Sequence, residues 1–304
     1  APDPGEGDAA MNRADLLTML NETVVALGAN DPHRLPLDVR LRYTENCVEF
    51  PIGDGAWKTV TGIGDYRWDL ADPVTGNAAR FGTLEESGDK ALFVLRLAAQ
   101  ADAITEIELL VARVTDAGVP FLKADPAPRP ELEEAVDPAA RCGRERMLSL
   151  ADGYFSTLEQ NDGTLHTRFT ADCERRENGV QTTHNPQPNL APVAKMGCEE
   201  QFRLGYYLFD NWIRARRYPL IDEEQGVVLS GGFIDHDGQT REYQLTNGET
   251  RTGFFLRPHS FAFLEAFKIR DDAISAVEAV FHFVPYRMRS PWAQDERDPR
   301  LGRA

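Results

Sequence analysis

A proline-rich segment in the middle of the chain divides it into two parts of domain size. The segment runs over 118–139 and contains Pro120, Pro126, Pro128, Pro130 and Pro138. Each proline fixes its own φ and restricts the residue before it, so this stretch cannot form a continuous helix or a central strand. A length of 304 residues also suits two domains, since one domain takes about 100–200 residues. We therefore predict an N-terminal domain over 11–117, a linker over 118–139, a C-terminal domain over 140–290 and a tail over 291–304.

Short sequence matches in the same order indicate that the two parts are copies of one domain. Helical patterns at 15–27 and 144–159 are followed by RYTENC at 42–47 and RFTADC at 168–173. Further matches pair ARFGTLEESG at 79–88 with RRYPLIDEEQG at 216–226, and the strand–turn–strand pattern at 95–112 with that at 264–281. A repeat of this length predicts a duplicated domain rather than a solenoid of short units.

The order of elements within each copy predicts an α+β domain. A helix and a short helix come first, then a strand, an intervening segment and antiparallel strands. Helices are then expected on one face of a curved sheet. In the C-terminal copy, GYYLFDNWIRARR at 205–217 is predicted as a further helix. A sheet that curls around helices leaves a hollow at its wide end, which is a suitable place for a small-molecule site.

Two motifs of the C-terminal copy carry a resemblance to a known family. RFTADCERRENG at 168–179 and FAFLEAFKIRDDAISAVEAVF at 261–281 resemble the SnoaL-like branch of the nuclear-transport-factor-2-like superfamily. The family's strand entry is matched by Phe169, Asp172 and Cys173, and its last hairpin by Glu265, Phe267, Ile274 and Glu278. The resemblance implies two tandem domains, each a curved, mostly antiparallel sheet wrapped around helices. It leaves the activity open, because members include isomerases, dehydratases, lyases, hydrolases and non-catalytic binding proteins.

Charge and motif content exclude several functions. The formal net charge of −16 repels phosphate backbones, so we expect neither nucleic acid nor an anionic membrane as a partner. No apolar run reaches the length of about 18 residues that a membrane helix needs. Dinucleotide, P-loop and serine-hydrolase motifs are absent, which predicts a protein without a cofactor. DHDG at 235–238 is a weak calcium signal because no bidentate glutamate follows it, and we predict no metal.

Two further sequence features bear on where the protein works. The opening APDPGEGDAA is typical of a mature chain after removal of a signal, which predicts a periplasmic or secreted protein; the alternatives are a trimmed chain or a start at Met11. Of the four cysteines, Cys142 and Cys198 are candidates for a disulfide, whereas Cys47 and Cys173 are predicted as small buried residues.

The last hairpin holds the most informative titratable residues. Alternation along the strand places Glu278 and His282 on one face, and we expect Glu265 to face them across the ladder. A carboxylate and an imidazole among apolar side chains form a suitable acid–base pair. The alternative is that Glu278 lies on the solvent face and that His282 is a hydrogen-bonded strand residue.

The strand ERREN at 174–178 is unusually polar, so one of its faces is expected to reach the cavity. If Arg176 and Asn178 point inward, they can hold an oxyanion; the alternative is a salt-bridged edge strand. The polar, proline-containing loop at 178–196 is predicted to be a lid. Further candidates for substrate binding are His184 in this loop, Tyr206, and Tyr286 after the last strand.

These residues predict a cofactor-independent enzyme of the lyase, dehydratase or isomerase type. Its C-terminal cavity would bind a small, partly apolar substrate of aromatic, polyketide or terpenoid character. His282, Glu278, Glu265 and Arg176 are the predicted catalytic residues. The alternative is a non-catalytic protein that binds a small molecule or a protein partner. The two copies are expected to pack as an intramolecular pseudo-dimer, or the chain forms a homo-oligomer.

Overall fold

The computed structural model describes residues 11–116, 121–187, 190–253 and 255–293. The first ten residues, on which the prediction of export rests, lie outside this range, as do residues 117–120 at the start of the linker and 294–304 of the tail. None of the helices in the described ranges is long and apolar enough to cross a membrane.

Each half of the chain begins with a long helix, as predicted. The first is closed at its N-terminus by a capping box, in which Asn12 accepts from the Asp15 amide and Asp15 accepts from the Asn12 amide. The second ends at Asn161, which takes the left-handed conformation. The helices are α1 (Arg13–Gly28), α2 (Ala56–Thr59), α3 (Pro130–Glu133), α4 (Arg144–Gln160) and α5 (Cys198–Arg203), with 3-10 helices at Pro32–Arg34, Pro138–Ala140 and Pro192–Lys195.

The strands form two six-stranded sheets and one small two-stranded sheet. The strands of the N-terminal half are β1 (Leu37–Glu45), β2 (Val48–Glu49), β3 (Val60–Asp72), β4 (Asn77–Glu86), β5 (Asp89–Gln100) and β6 (Ala103–Arg113). Those of the C-terminal half are β7 (Phe169–Glu177), β8 (Val180–Gln181), β9 (Trp212–Asp222), β10 (Val227–His236), β11 (Glu242–Gln244), β12 (Thr250–Thr252), β13 (His259–Arg270) and β14 (Ala273–Val284).

The two large sheets have the same strand order, β2-β1-β6-β5-β4-β3 and β8-β7-β14-β13-β10-β9. In both, one pair is parallel, β1 with β6 and β7 with β14, and the remaining neighbours are antiparallel. The protein is therefore an α+β chain of two similar halves, as the sequence predicts at this level.

The halves pack with their sheets face to face and their helices outside. One face of each sheet packs on its own long helix, through clusters that include Leu20 in one half and Phe155 in the other. The opposite faces meet in a shared core to which both halves contribute, with Trp68 and Phe81 on one side and Leu264 on the other. Burial of apolar surface at about 25 cal/mol per Å² makes this shared core a major source of stability.

Equivalent side chains occupy matching positions in the two halves. Asn46 and Asn178 both follow the first strand with positive φ, and each side chain pairs with the backbone N–H and C=O of one residue, Val111 or Phe281. The two glycines Gly76 and Gly226 both have a φ of +66°, a conformation that glycine adopts without a Cβ penalty.

The same equivalences correct the alignment of the repeat. Asn46 corresponds to Asn178, so the match of RYTENC with RFTADC is in the wrong register. The match of 79–88 with 216–226 is also wrong, since the first segment is mainly β4 and the second mainly β9, whose counterpart is β3. The match between the hairpins β5–β6 and β13–β14 is confirmed, because both turns place two residues at positive φ.

The predicted helix over 205–217 is also wrong. Helix α5 ends at Arg203, and Gly205 has a φ of +68°, which stops the helical path. The chain then turns and enters β9 at Trp212. This error matters for function, because the turn before β9 lines the cavity described below.

The linker and the tail each lie on a sheet. In the linker, the backbone oxygens of Leu132 and Glu134 accept from the buried Lys268 ammonium on β13, at 3.1 and 2.6 Å. Burial lowers the pKa of Lys268 to about 8. Beyond β14, the tail crosses to the N-terminal half, where the indole of Trp292 donates to Thr44 Oγ1 at 3.1 Å.

Candidate functional site

A cavity of about 530 Å³ lies between the C-terminal sheet and the loop predicted to be a lid. It opens at the end of the sheet where β7, β10 and β14 finish and β13 begins. Its wall is mainly apolar, and besides the phenols of Tyr206 and Tyr207 it holds three titratable side chains: Glu177, Asp210 and His236. The apolar wall includes Phe121, Leu190, Val193, Tyr206, Tyr207, Phe209, Ile234, Phe255, Phe261 and Phe281. A largely apolar pocket with a few polar groups is the usual form of a small-molecule site.

His236 and Asp210 form a buried pair in the cavity wall. His236 is the last residue of β10 and is 1% exposed. Asp210 belongs to the turn before β9, and its Oδ1 lies 2.8 Å from His236 Nε2. In the neutral imidazole, Nε2–H donates to the carboxylate and leaves Nδ1 as an acceptor. Within the described residues Nδ1 is buried and has no hydrogen-bond partner, so it is the nitrogen whose acceptor position is unfilled.

Aromatic packing fixes the plane of this imidazole. His236 stacks on His259 with ring centres 4.5 Å apart, and the Phe255 ring lies 4.4 Å away at an edge-on angle. His259 Nδ1 lies 2.9 Å from the Arg257 carbonyl oxygen, and burial lowers the pKa of His259. The neighbouring His236 ring adds to this lowering of the pKa of His259, since a charge on one ring disfavours a charge on the other at this distance.

A buried arginine organises the other end of the cavity wall. Arg175 lies in the middle of β7 and points toward α4, where its Nη1 donates to Tyr154 Oη at 3.3 Å. Its Nη2 donates to Tyr207 Oη and to Gln201 Oε1. The Gln201 amide in turn donates to the backbone oxygens of Thr182 and Val193 in the lid, at 2.7 and 3.0 Å. This network ties a cavity tyrosine to the position of the lid.

Two carboxyl groups lie near Arg175. Glu177 lines the cavity, and its Oε2 lies 3.6 Å from Arg175 Nε. Glu265 on β13 is buried, and its burial, reinforced by the Glu177 charge, raises its pKa to about 8. Glu265 is therefore mostly protonated at neutral pH. A carboxyl group whose pKa is shifted by burial and by a neighbouring charge is typical of sites that move protons.

The structure separates the predicted catalytic residues. A bulge at Ser275 shifts the alternation of β14, and the register pairs Glu265 with Ala279. Glu265 consequently lies on the helix side of the sheet, while Glu278 and His282 share the opposite face. The prediction that Glu278 and His282 are neighbours on one face stands, and the expectation that Glu265 faces them is wrong.

Glu278 and His282 lie at the junction between the halves and outside the cavity lining. Glu278 is buried, its Oε2 lies 3.3 Å from Arg129 Nη1 of the linker, and burial raises its pKa against the opposing effect of Arg129. His282 Nδ1 lies 3.3 Å from Asp116 Oδ2 of the N-terminal half. Both contacts join parts of the chain rather than open toward a substrate.

The face of β7 that turns toward α4 carries Arg175 and Glu177, of which Glu177 lines the cavity. The prediction that Arg176 lies in the cavity is therefore wrong; Arg176 Nη1 donates to the Ala127 carbonyl at 2.7 Å. Asn178 is also not a cavity residue, because both of its polar atoms pair with the Phe281 backbone.

Of the other predicted substrate-binding residues, one lines the cavity and two lie outside it. Tyr206 lines the cavity, whereas His184 is exposed and lines a separate surface groove with Arg176. Tyr286 stacks with Arg287 at 5.3 Å, away from the cavity. The lid itself is placed as expected, with Thr182, Ala191 and Val193 on the cavity wall.

Sequence reasoning missed Asp210, His236, Arg175 and Glu177. A signal for His236 existed in the period-two pattern of 227–236, whose even positions Val228 and Ile234 are apolar and pack on the helix side. Asp210 carried no comparable signal, because the wrong helix assignment hid the turn that places it.

The end of the N-terminal sheet that corresponds to the cavity end of the C-terminal sheet holds paired charges. Glu45, the counterpart of Glu177, accepts from Tyr43 Oη at 3.2 Å and from the Ala56 amide at 2.6 Å. Arg113 pairs with Glu45 and with Glu86, the counterpart of His236. Trp57 is 1% exposed and packs edge-on against Tyr43. This end is therefore built as core.

No group of three or more His, Cys, Asp or Glu side chains within the described ranges is arranged to hold a metal ion. The two cysteines considered for a disulfide are not joined. Cys142 Sγ lies 4.0 Å from Asp272 Oδ1, whereas Cys198 Sγ donates to the Cys173 carbonyl at 3.1 Å.

Comparisons with known proteins locate one family match. Residues 140–281, which contain most of the C-terminal half and its cavity, match a family described as a domain of unknown function, DUF8021. No curated protein matches the chain. Among solved structures, a de novo designed protein with a curved β-sheet is similar over 34% of this chain and 88% of that chain, with 20% sequence identity and a TM-score of 0.28.

Proposed function

We propose that the C-terminal half is a cofactor-independent enzyme that performs general acid–base chemistry on a small, partly apolar molecule. The observation that carries the proposal is the His236–Asp210 pair. A carboxylate that accepts from one imidazole nitrogen fixes the tautomer and leaves the other nitrogen as a base. Here that second nitrogen is buried in the wall of a cavity large enough for a ring compound.

In this mechanism His236 Nδ1 removes a proton next to a carbonyl or hydroxyl group of the substrate. Asp210 stabilises the imidazolium that forms. Glu177 at the other part of the wall takes or returns a proton, and the Arg175 network holds Glu177 and Tyr207 in place. A lyase or dehydratase results where the imidazolium gives this proton to the leaving group as its bond to carbon breaks, and an isomerase results where the proton returns to the substrate at a new carbon. General acid–base catalysis of this kind supplies about 10²–10⁴-fold in rate.

We further propose that both halves have the nuclear-transport-factor-2-like fold, as the sequence motifs suggested. The support is the repeated arrangement of a long helix on one face of a mixed six-stranded sheet with identical strand order. The face-to-face packing of the two sheets supports the pseudo-dimer within one chain.

The catalytic proposal is tested by proton exchange on a generic carbon acid. 2-Tetralone, a bicyclic ketone with acidic protons beside its carbonyl, is incubated with the protein in D₂O, and deuterium incorporation is followed by NMR. We expect exchange above the buffer rate, and a loss of about 10²-fold or more in His236→Gln. His282→Gln is the matched control and should exchange within about twofold of the native protein, because His282 lies outside the cavity lining.

Three results would contradict the proposal. Exchange at the buffer rate alone, or exchange that His236→Gln leaves unchanged, removes His236 from the chemistry. Saturable binding of 2-tetralone without exchange favours the non-catalytic alternative, a small-molecule binding protein, for which the predominance of aromatic rings in the wall is the supporting observation.

A further inference from the structure

The cavity wall combines aromatic faces with negative charge. Of its titratable residues two are carboxylates, and none of the residues that line it in the described chain is lysine or arginine. A carboxylate or phosphate ligand would therefore enter without a cationic partner, which is costly in a mainly apolar pocket. Aromatic faces with carboxylates, in contrast, are the usual surroundings of organic ammonium groups.

The nearby arginine offsets this negative charge only in part. The Arg175 guanidinium is buried and donates to Tyr154, Gln201 and Tyr207. Its Nε also donates to Thr182 Oγ1 at 3.1 Å. Its Nε lies 3.6 Å from Glu177 Oε2, which is an ion-pair distance but longer than a hydrogen bond, so the Glu177 carboxylate keeps room for a donor from the cavity.

Aromatic rings surround the Glu177 end. Phe281 lies beside it on the neighbouring strand, since Asn178 pairs with the Phe281 backbone. The Phe121 ring is edge-on to Phe281 with centres 5.8 Å apart, and Tyr207 lines the same wall. An ammonium group placed here meets a carboxylate and ring faces together, while His236 remains available for proton transfer.

We infer that the ligand of this cavity is an aromatic or alicyclic amine, bound as an organic cation with its ammonium group against Glu177. The inference rests on the proposed function for the location of the site and adds the chemical class of the substrate. Since the whole chain is acidic, with a formal net charge of −16, a test must separate the local carboxylate from the general attraction of cations.

The test compares three ligands that share one ring system. 2-Naphthylmethylamine, 2-naphthylmethanol and 2-naphthoate are titrated into the full chain by calorimetry at pH 7. We expect the amine to bind about tenfold more tightly than the alcohol, and 2-naphthoate to bind most weakly. Glu177→Gln should reduce the preference for the amine to within about threefold while it leaves the affinity for the alcohol within about twofold.

Asp172→Asn is the matched control. It removes one carboxylate from the exposed side of β7, where Asp172 pairs with Arg270, and should leave the preference unchanged. A melting curve checks the fold of each variant. If Glu177→Gln does not fold, Tyr206→Leu replaces it, because Tyr206→Leu removes an aromatic face from the wall but keeps an apolar side chain; it should weaken the amine more than the alcohol.

The outcomes separate the two proposals. Equal binding of the alcohol and the amine, tightest binding of 2-naphthoate, or an equal loss of preference in Asp172→Asn overturns the amine inference and leaves the cavity as the site. Absence of binding for all three ligands overturns both.

Discussion

Asp72 and Asp222 hold the two halves together through reciprocal hydrogen bonds, because each carboxylate accepts from a backbone amide and from an arginine of the other half. Asp72, at the end of β3, accepts from the Ile221 amide at 2.9 Å and from Arg144 at 2.7 Å in the other half. Asp222, at the end of β9, accepts from the Ala71 amide at 3.0 Å and from Arg13 at 2.7 Å. The contacts are reciprocal, as expected for two copies related by an approximate twofold axis.

We predict that Asp72→Asn and Asp222→Asn each reduce the free energy of unfolding by about 2–3 kcal/mol. Asparagine turns one acceptor into a donor, which faces a backbone N–H and a guanidinium, and hydrogen bonds to charged groups contribute about 1.5–3 kcal/mol. Urea unfolding followed by circular dichroism measures the loss. Asp272→Asn is the control, since Asp272 also pairs with arginines but is exposed, and should change less than about 1 kcal/mol. Equal losses at all three positions would contradict this account of the junction.

The linker depends on a different buried carboxylate. Arg129 is 6% exposed and contacts three glutamates, of which Glu278 is buried while Glu131 and Glu174 are partly exposed. We predict that Glu278→Ala lowers the free energy of unfolding by about 3–5 kcal/mol, because it leaves a guanidinium buried beside no carboxylate on β14. Glu131→Ala should cost less than about 1 kcal/mol.

The same pair of variants separates a structural from a catalytic role. At temperatures where Glu278→Ala is folded, this variant should bind 2-tetralone and exchange the protons of 2-tetralone as the native chain does. Lost exchange in a folded Glu278→Ala protein would restore Glu278 to the mechanism and contradict its placement at the junction.

The sequence predicted the elements that rest on local patterns. The two long helices and the two last hairpins follow from periodicity and turn residues. Their type is confirmed because those patterns are short in range and each is supported by burial of one face.

The errors arose where one residue changes a register or where the fold brings distant segments together. One bulge at Ser275 moved Ile274 to the face opposite Glu278, since a shift by one residue reverses every side chain in a strand. The pairing of Asp210 with His236 joins a turn to the end of a strand. Nothing local in the sequence specifies that contact, because it depends on the antiparallel pairing of β9 with β10.

Glu265 gives the fold a characteristic pH dependence. Its pKa rises from 4.5 to about 8 on burial. The unfolded chain therefore releases this proton between these values while the folded chain retains it. The stability that Glu265 contributes is complete below pH 4.5, falls by up to about 1.4 kcal/mol per pH unit, and is lost once the pH passes about 8. Lys268, whose pKa is lowered to about 8, makes the stability depend on pH above pH 8.

We predict that Glu265→Gln removes this dependence. Glutamine keeps the shape of the protonated carboxyl group but cannot ionise, so the variant should gain stability relative to the native chain as the pH rises from 5 to 8. Urea unfolding of both proteins at pH 5, 6, 7 and 8 measures the difference. A difference that stays constant across these pH values would show that Glu265 ionises alike in the folded and unfolded chain.

The tail fastens the C-terminal half to the first strand of the N-terminal half through Trp292. Its ring lies 4.7 Å from the Arg42 guanidinium and 4.8 Å from that of Arg96, and its indole N–H donates to the buried Thr44 hydroxyl. We predict that Trp292→Ala lowers the free energy of unfolding by about 1–3 kcal/mol, the sum expected of a cation–π contact and one buried hydrogen bond. Trp292→Phe keeps a ring between the arginines but loses the donor, so it should retain part of that stability. Thermal unfolding of the three proteins measures the series, and a Trp292→Phe variant as unstable as Trp292→Ala would show that the ring contributes nothing and that the hydrogen bond alone holds the tail.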